Sequence, residues 1–217
     1  MKTFLSIGTG PGMGLATAQR FAREGFRVIL SARHLDKTQA LAGRLESEGH
    51  KADVSLVDAA DPASIAALVA DVESRFGAID VLHYNAAALR QASIGTQPAE
   101  TFNQDLAVNV GGALAAVQAA APRMAARGSG DILLTGGGFA LAPSPDYLSL
   151  SIGKAGLRAL ALGLFDSLKA QGVHVGTVTV AGFVSPGSAA AAGVADAFWR
   201  LHSQPRQAWT VEEVYTP

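Results

Sequence analysis

The chain has 217 residues, 49% of them hydrophobic and 16% charged, a formal net charge of −1, and no cysteine. That length and apolar content suit one well-buried α/β domain and argue against two domains or disorder. The charge gives no electrostatic reason to invoke nucleic acid or an anionic membrane, and the missing thiols exclude disulfides and thiolate chemistry. The short apolar start broken by glycines is no secretory signal, and no uninterrupted apolar stretch has the length of a membrane span. A cytoplasmic protein is expected.

Thr3–Ile7 reads as a short buried strand, and Leu15–Ala22 continues as a helix with Leu15, Ala18, Phe21 and Ala22 on one face. Between them lies Gly8-Thr9-Gly10-Pro11-Gly12-Met13-Gly14. The strict G-x-G-x-x-G fails at Met13, whereas the spacing G-x-x-x-G-x-G fits through Gly8, Gly12 and Gly14. Such a turn brings backbone close to a ligand and aims free helix N–H groups at an anion, of which a dinucleotide pyrophosphate is the usual example.

Further on, Phe26–Ser31 predicts a second strand, residues 35–48 a helix and Ala52–Val57 a third strand. Pro62, just after Asp61, opens a helix with Ile65, Leu68, Val69 and Val72 on one stripe. Ile79–Tyr84 is a fourth strand, Thr101–Arg127 a long helix, and Asp131–Thr135 a fifth strand followed by a triple-glycine loop at Gly136–Gly138. Leu148–Ala170 is a second long helix, Val173–Val180 a sixth strand, Ala195–His202 a last helix, and Ala208–Val214 an edge strand. Strands alternating with helices imply right-handed crossovers, so the predicted fold is one doubly wound, Rossmann-type parallel-sheet domain over residues 1–217. Ligands of such sheets bind beyond the carboxyl ends of the strands, where Asp58, Asn85, the glycine run and Ala181-Gly182 fall.

Together these residues resemble the short-chain dehydrogenase/reductase family over nearly the whole chain. The resemblance rests on the glycine turn and Asp58 after the third strand. It rests also on Tyr84-Asn85-Ala86-Ala87 after the fourth, Asn109 in the long helix, Lys154-Ala155-Gly156-Leu157, and Ala181-Gly182 after the sixth. It implies that Gly8, Gly12, Met13 and Gly14 hold a nicotinamide dinucleotide. Asp58 is then expected at the adenine, Asn85 and Gly182 beside the cofactor, and Lys154 on the ribose hydroxyls. Asn109 is expected either to orient a water or the lysine, or to mark only a helix kink or a buried hydrogen bond. Ala32 offers no acid for a ribose 2′-hydroxyl, while Arg33 can fork onto a 2′-phosphate, so NADP(H) is favoured over NAD(H). The family also implies a homodimer or homotetramer built on the long helices.

Two departures bear on activity. Leu150 stands where the family carries its catalytic Tyr, and Gly137 where it carries its Ser. General acid–base help of that kind contributes about 10²–10⁴ in rate, or roughly 3–5 kcal/mol. Tyr147, one turn earlier, is either a substitute proton donor or simply part of the start of the helix. The residues after Gly182 are few, so a substrate lid near 183–195 is expected to be short. These features give two expectations: an atypical oxidoreductase acting on a small carbonyl or alcohol, or a silent dinucleotide-binding sensor or partner protein. Metal, hydrolase and phosphoryl-transfer chemistry fare worse. His34, His50, His83, His174 and His202 lack ligand spacing, Phe183–Gly187 is no nucleophile elbow, and no Walker lysine follows Gly14.

Overall fold

The computed structural model describes residues 1–217. Seven strands form one sheet: β1 (Thr3–Ile7), β2 (Arg27–Ala32), β3 (Ala52–Leu56), β4 (Val81–Tyr84), β5 (Gly130–Gly137), β6 (Val173–Val180) and β7 (Glu212–Tyr215). Their order is β3-β2-β1-β4-β5-β6-β7 and every pairing is parallel. The helices are α1 (Met13–Arg23), α2 (Leu35–Ser47), α3 (Pro62–Phe76), α4 (Ala99–Leu106), α5 (Gly112–Arg127), α6 (Leu148–Ala170) and α7 (Ala189–His202).

Side-chain alternation along the strands feeds two cores. Leu5, Ile7, Leu82, Tyr84, Ile132 and Leu134 pack under α3, α5 and α6 on one face. Phe4, Val81, Leu133, Val178 and Val180 pack under α1, α2 and α7 on the other. Buried on both faces, the strands read as nearly continuous apolar runs. Asp61 caps α3 by accepting from the Ala63 amide at 2.9 Å, with Pro62 in the first turn.

Four expectations need correction. The helix predicted from Thr101 starts at Ala99 and is broken by a π-helical turn over Ala107–Gly111. Gly136 and Gly137 belong to β5 and are not a loop. A Cβ at Gly136 would come within 2.8–2.9 Å of Thr177 and Thr179 Oγ1, so glycine is what lets β5 run beside β6 there. The last helix begins at Ala189, capped by Ser188, and the edge strand is confined to Glu212–Tyr215. The helix α6 is long and apolar enough for a membrane span by length and composition alone, but Lys154 and Arg158 interrupt its apolar run. Here it is a core helix carrying Lys154 and Arg158, whose charged ends donate to Thr135 O and to the Glu212 carboxylate.

At the amino rim of the sheet, Asp131 at the start of β5 faces His174 Nδ1 at 3.4 Å and His202 Nδ1 at 3.2 Å. His174 also stacks on Trp209, with ring centroids 4.7 Å apart. Burial penalises the Asp131 carboxylate, yet the two imidazoles hold it below its usual range. This clasp fastens the end of α7 and the 204–210 segment to the first residues of β5 and β6.

Candidate active site at the carboxyl rim of the sheet

The chain runs outward from β1 to β3, then crosses back to start β4 on the other side of β1. That reversal opens a crevice between the carboxyl ends of β1 and β4. Gly8 turns the chain there with φ +82°, and a Cβ on it would lie 2.4 Å from the Ala86 backbone, so only glycine fits. A Cβ at Gly14 would meet the Asn85 amide at 3.0 Å. The amides of Gly12, Met13 and Gly14 find no acceptor within the chain. They converge at the start of α1, an arrangement suited to an anion. The Met13 side chain turns away and packs on the core beneath α1, α2 and α7, leaving its amide as the useful group.

Asn85 fixes this turn by donating from Nδ2 to Gly8 O at 2.8 Å. Its Oδ1 accepts from Thr135 Oγ1 at 3.0 Å. Thr135 Oγ1 in turn lies 3.0 Å from His83 Nε2, and His83 Nδ1 lies 3.4 Å from Ser6 Oγ. Since the threonine proton points at Asn85, His83 is assigned Nε2–H as donor. Burial lowers the His83 pKa to about 3, which keeps the ring neutral.

Thr135 is also the anchor of Lys154, whose Nζ donates to its carbonyl at 2.7 Å. The lysine stem lies over Gly137, where a Cβ would sit 3.3–3.4 Å from its Cγ, Cδ and Cε. Burial lowers the ammonium pKa from 10.5 to about 8. Two of its three N–H bonds remain available for a ligand. Leu150, one turn earlier on α6, is buried.

Asn109 is buried within the π turn and clamps the backbone of Ala88, with Oδ1 accepting from the amide at 2.8 Å and Nδ2 donating to the carbonyl at 3.3 Å. Both a buried hydrogen bond and a distortion of the helix are thus present at Asn109. A Cβ at Gly153 would strike Asn109 Cβ at 2.6 Å, and one at Gly156 would strike Val110 at 2.9 Å. These two glycines let α6 ride close against the π turn. The loop after β4 is pinned further by Arg90, which forks onto Asp105 at 2.7 and 3.1 Å, and by Ser149, which donates to the same carboxylate at 2.7 Å. Burial opposes the Asp105 charge, but these bonds hold its carboxyl below the ordinary range.

On the opposite side of the turn, a cavity of about 200 Å³ is lined by residues 8–10, 32–34, 57–59 and Ala86-Ala87. Arg33 and Asp58 are exposed on its rim. Asp58 Oδ1 accepts from the Ala60 amide at 2.9 Å. A larger cleft of about 300 Å³ between α1, α2 and Pro186-Gly187 stands away from Lys154, and its Gln19 and Glu48 bond each other. Gly182 lies at the end of β6 against Pro217. Tyr147 caps α6, its ring stacked on Phe139 at 5.2 Å between centroids.

The structure therefore gathers Gly8, Gly12, Met13, Gly14, Arg33, Asp58, Asn85, Lys154 and Gly137 along one rim, with Asn109 behind them. Sequence reading missed His83, Thr135 and the Arg90–Asp105–Ser149 cluster. The one available signal was a histidine inside the otherwise apolar Val81–Tyr84 strand.

Known proteins share both sequence and fold. The short chain dehydrogenase family model matches residues 2–192. An uncharacterized oxidoreductase of Thermotoga maritima is 30% identical over 180 residues, covering 82% of this chain and 70% of that protein. A sorbitol dehydrogenase of Cereibacter sphaeroides is 37% identical over 129 residues, 59% of this chain and 49% of that one. A short-chain dehydrogenase from Rhodopseudomonas palustris superposes with TM-score 0.91 at 26% identity, over 100% of this chain and 98% of the other. A metagenomic short-chain oxidoreductase in complex with NADP gives TM-score 0.89 at 26% identity, over 100% and 97%. With a glycine turn, an anchored asparagine and a buried lysine on one rim of this sheet, the chain belongs to the short chain dehydrogenase family.

Proposed function

We propose that the protein is an atypical NADP(H)-dependent oxidoreductase that interconverts a small carbonyl compound and its alcohol. The observation that carries this reading is the bonded path from Gly8 through Asn85 and Thr135 to Lys154, which ties an anion-binding turn to a buried ammonium. The glycines a Cβ would close, and the unpartnered amides beside them, fit a dinucleotide diphosphate. When bound, such a nucleotide supplies or accepts the hydride.

The chain's own residues do the rest. Gly12, Met13 and Gly14 would donate amides to the diphosphate, and Arg33 would meet a ribose 2′-phosphate. Asp58 would meet the adenine, and Lys154 would give one of its two free N–H bonds to a ribose hydroxyl. Asn85 and Asn109 act as positioning residues, through Gly8 and Ala88 respectively, and Gly182 would lie beside the nucleotide. Leu150 and Gly137 bring no hydroxyl to the reacting oxygen, so the Lys154 ammonium is the group that hands over the proton. Tyr147 is the alternative donor, although its ring is held by Phe139 and it precedes Lys154 by roughly 10 Å along the axis. The 183–188 loop is a short lid leading into α7. The NADP complex of the metagenomic relative supports the choice of nucleotide.

A second reading, a nucleotide-binding sensor without turnover, is favoured by one observation: neither the buried Leu150 nor the side-chain-free Gly137 carries a hydroxyl. Calorimetry with NADPH, followed by nucleotide oxidation over a panel of aldehydes and ketones, separates the two. Binding with turnover is expected. Binding without turnover supports the sensor, and no binding at millimolar nucleotide overturns both.

A further inference from the structure

Three segments meet at the carboxyl rim next to Gly137 and Gly138, and each delivers one aromatic ring. Phe139 follows β5, Tyr147 caps α6, and Phe183 follows β6. Phe139 and Tyr147 stack at 26° between planes, with centroids 5.2 Å apart. Phe183 closes the triangle at 6.3 Å from Phe139 and 6.1 Å from Tyr147. Inside a core such a cluster would be ordinary packing, but Phe183 is 78% exposed. Its outer face has no partner in the chain, although two other rings hold its position.

The surroundings are equally one-sided. Leu141, two residues past Phe139, and Ile94, two residues past the backbone bridge between Ala92 and Tyr147, are exposed apolar side chains on the same segments. The nearby cation, Arg90, is occupied by both oxygens of Asp105. A substrate carboxylate or phosphate therefore meets no free positive side chain from these loops. Flat π faces favour offset or edge-to-face contact with another ring over contact with a puckered aliphatic of equal size.

We propose that this mouth takes a flat, apolar aromatic carbonyl or alcohol, gripped by stacking on the Phe139–Tyr147–Phe183 cluster with its oxygen directed toward Lys154. The proposal deepens the oxidoreductase reading and rests on it for the role of Lys154.

The test measures binding directly. Equilibrium dialysis of the full chain, with and without NADPH, compares methyl naphthyl ketone, its fully saturated decalin counterpart and sorbitol. The naphthyl ketone is expected to bind about tenfold tighter than the decalin ketone, and sorbitol not measurably. Phe183→Ala and Phe183→Leu should weaken the naphthyl ketone about three- to tenfold, the size of one aromatic pair, and Phe183→Trp should restore it. NADPH affinity should stay unchanged in all three variants, which also reports that they fold. Equal affinity for the flat and puckered ketones, or an unaltered Phe183→Ala, overturns the proposal. Nucleotide binding without ring selectivity leaves the oxidoreductase reading standing alone. Ring selectivity without nucleotide binding removes that reading and keeps the aromatic site.

Discussion

The stem of Lys154 lies across Gly137 at a distance that a serine or alanine Cβ would contest, 3.3–3.4 Å from three of its carbons. Glycine at this point of β5 leaves the stem of the buried lysine unobstructed where its ammonium reaches Thr135 O.

The pH behaviour of Lys154 follows from this burial. Its folded pKa of about 8 lies below the ordinary 10.5, so the folded state sheds the proton first as pH rises. Between those two values the unfolded chain binds more protons, and stability increases with pH; below about 8 the cost of the buried charge is fully present. Denaturant titrations from pH 7 to 10 should show that rise in the native protein and lose it in Lys154→Met. Carbonyl reduction, which needs the ammonium, should decline above pH about 8 while alcohol oxidation gains.

Gly8→Ala should fail structurally. The positive φ and the Ala86 backbone at 2.4 Å leave a Cβ nowhere to go. A loss of at least about 2 kcal/mol in denaturant unfolding is expected, with NADPH binding abolished.

Thr135→Val keeps the strand and the carbonyl that holds Lys154 but deletes the hydroxyl shared by Asn85 and His83. Two buried polar groups then lose a partner, at about 1–3 kcal/mol. Thr135→Ser should recover most of this, and NADPH affinity should fall with Thr135→Val because Asn85 no longer steadies Gly8.

Arg33→Ala tests nucleotide choice. A charge-assisted pair to a 2′-phosphate is lost, so NADP(H) affinity should drop roughly tenfold or more while NAD(H) changes little. Equal losses for both nucleotides would refute the preference.

Leu114 on α5 and Ile152 and Leu162 on α6 are exposed apolar side chains on the two long helices. Sedimentation should find a homodimer or homotetramer, and Leu114→Glu with Leu162→Glu should yield monomers. A native monomer would contradict the expectation.

Elements with a strong local signal were legible in the residues. The Asp61-Pro62 pair starts α3, and α6 and β6 have the bounds their apolar patterns predict. Less legible were features decided by distant partners. The π turn at Ala107–Gly111 owes its Asn109 anchor to Ala88, in a loop far away in sequence. Gly136 and Gly137 read as a loop because glycine weakens a strand, yet β6 threonines and Lys154 crowd them into the sheet. The glycine turn, Asn85 and Lys154 were visible as motifs, whereas Thr135, which joins them by its hydroxyl to Asn85 and its carbonyl to Lys154, is unremarkable until β4 and β5 are paired.

The Asp131–His174–His202 clasp lies at the opposite end of β5 from Gly137, roughly 20 Å away at the rise of a strand. Substitutions that far apart, with no shared partner, combine nearly independently. Heat tolerance can therefore be engineered around the two imidazoles without retuning the lysine, and selectivity can be reshaped at the aromatic mouth without loosening the fold's far hem.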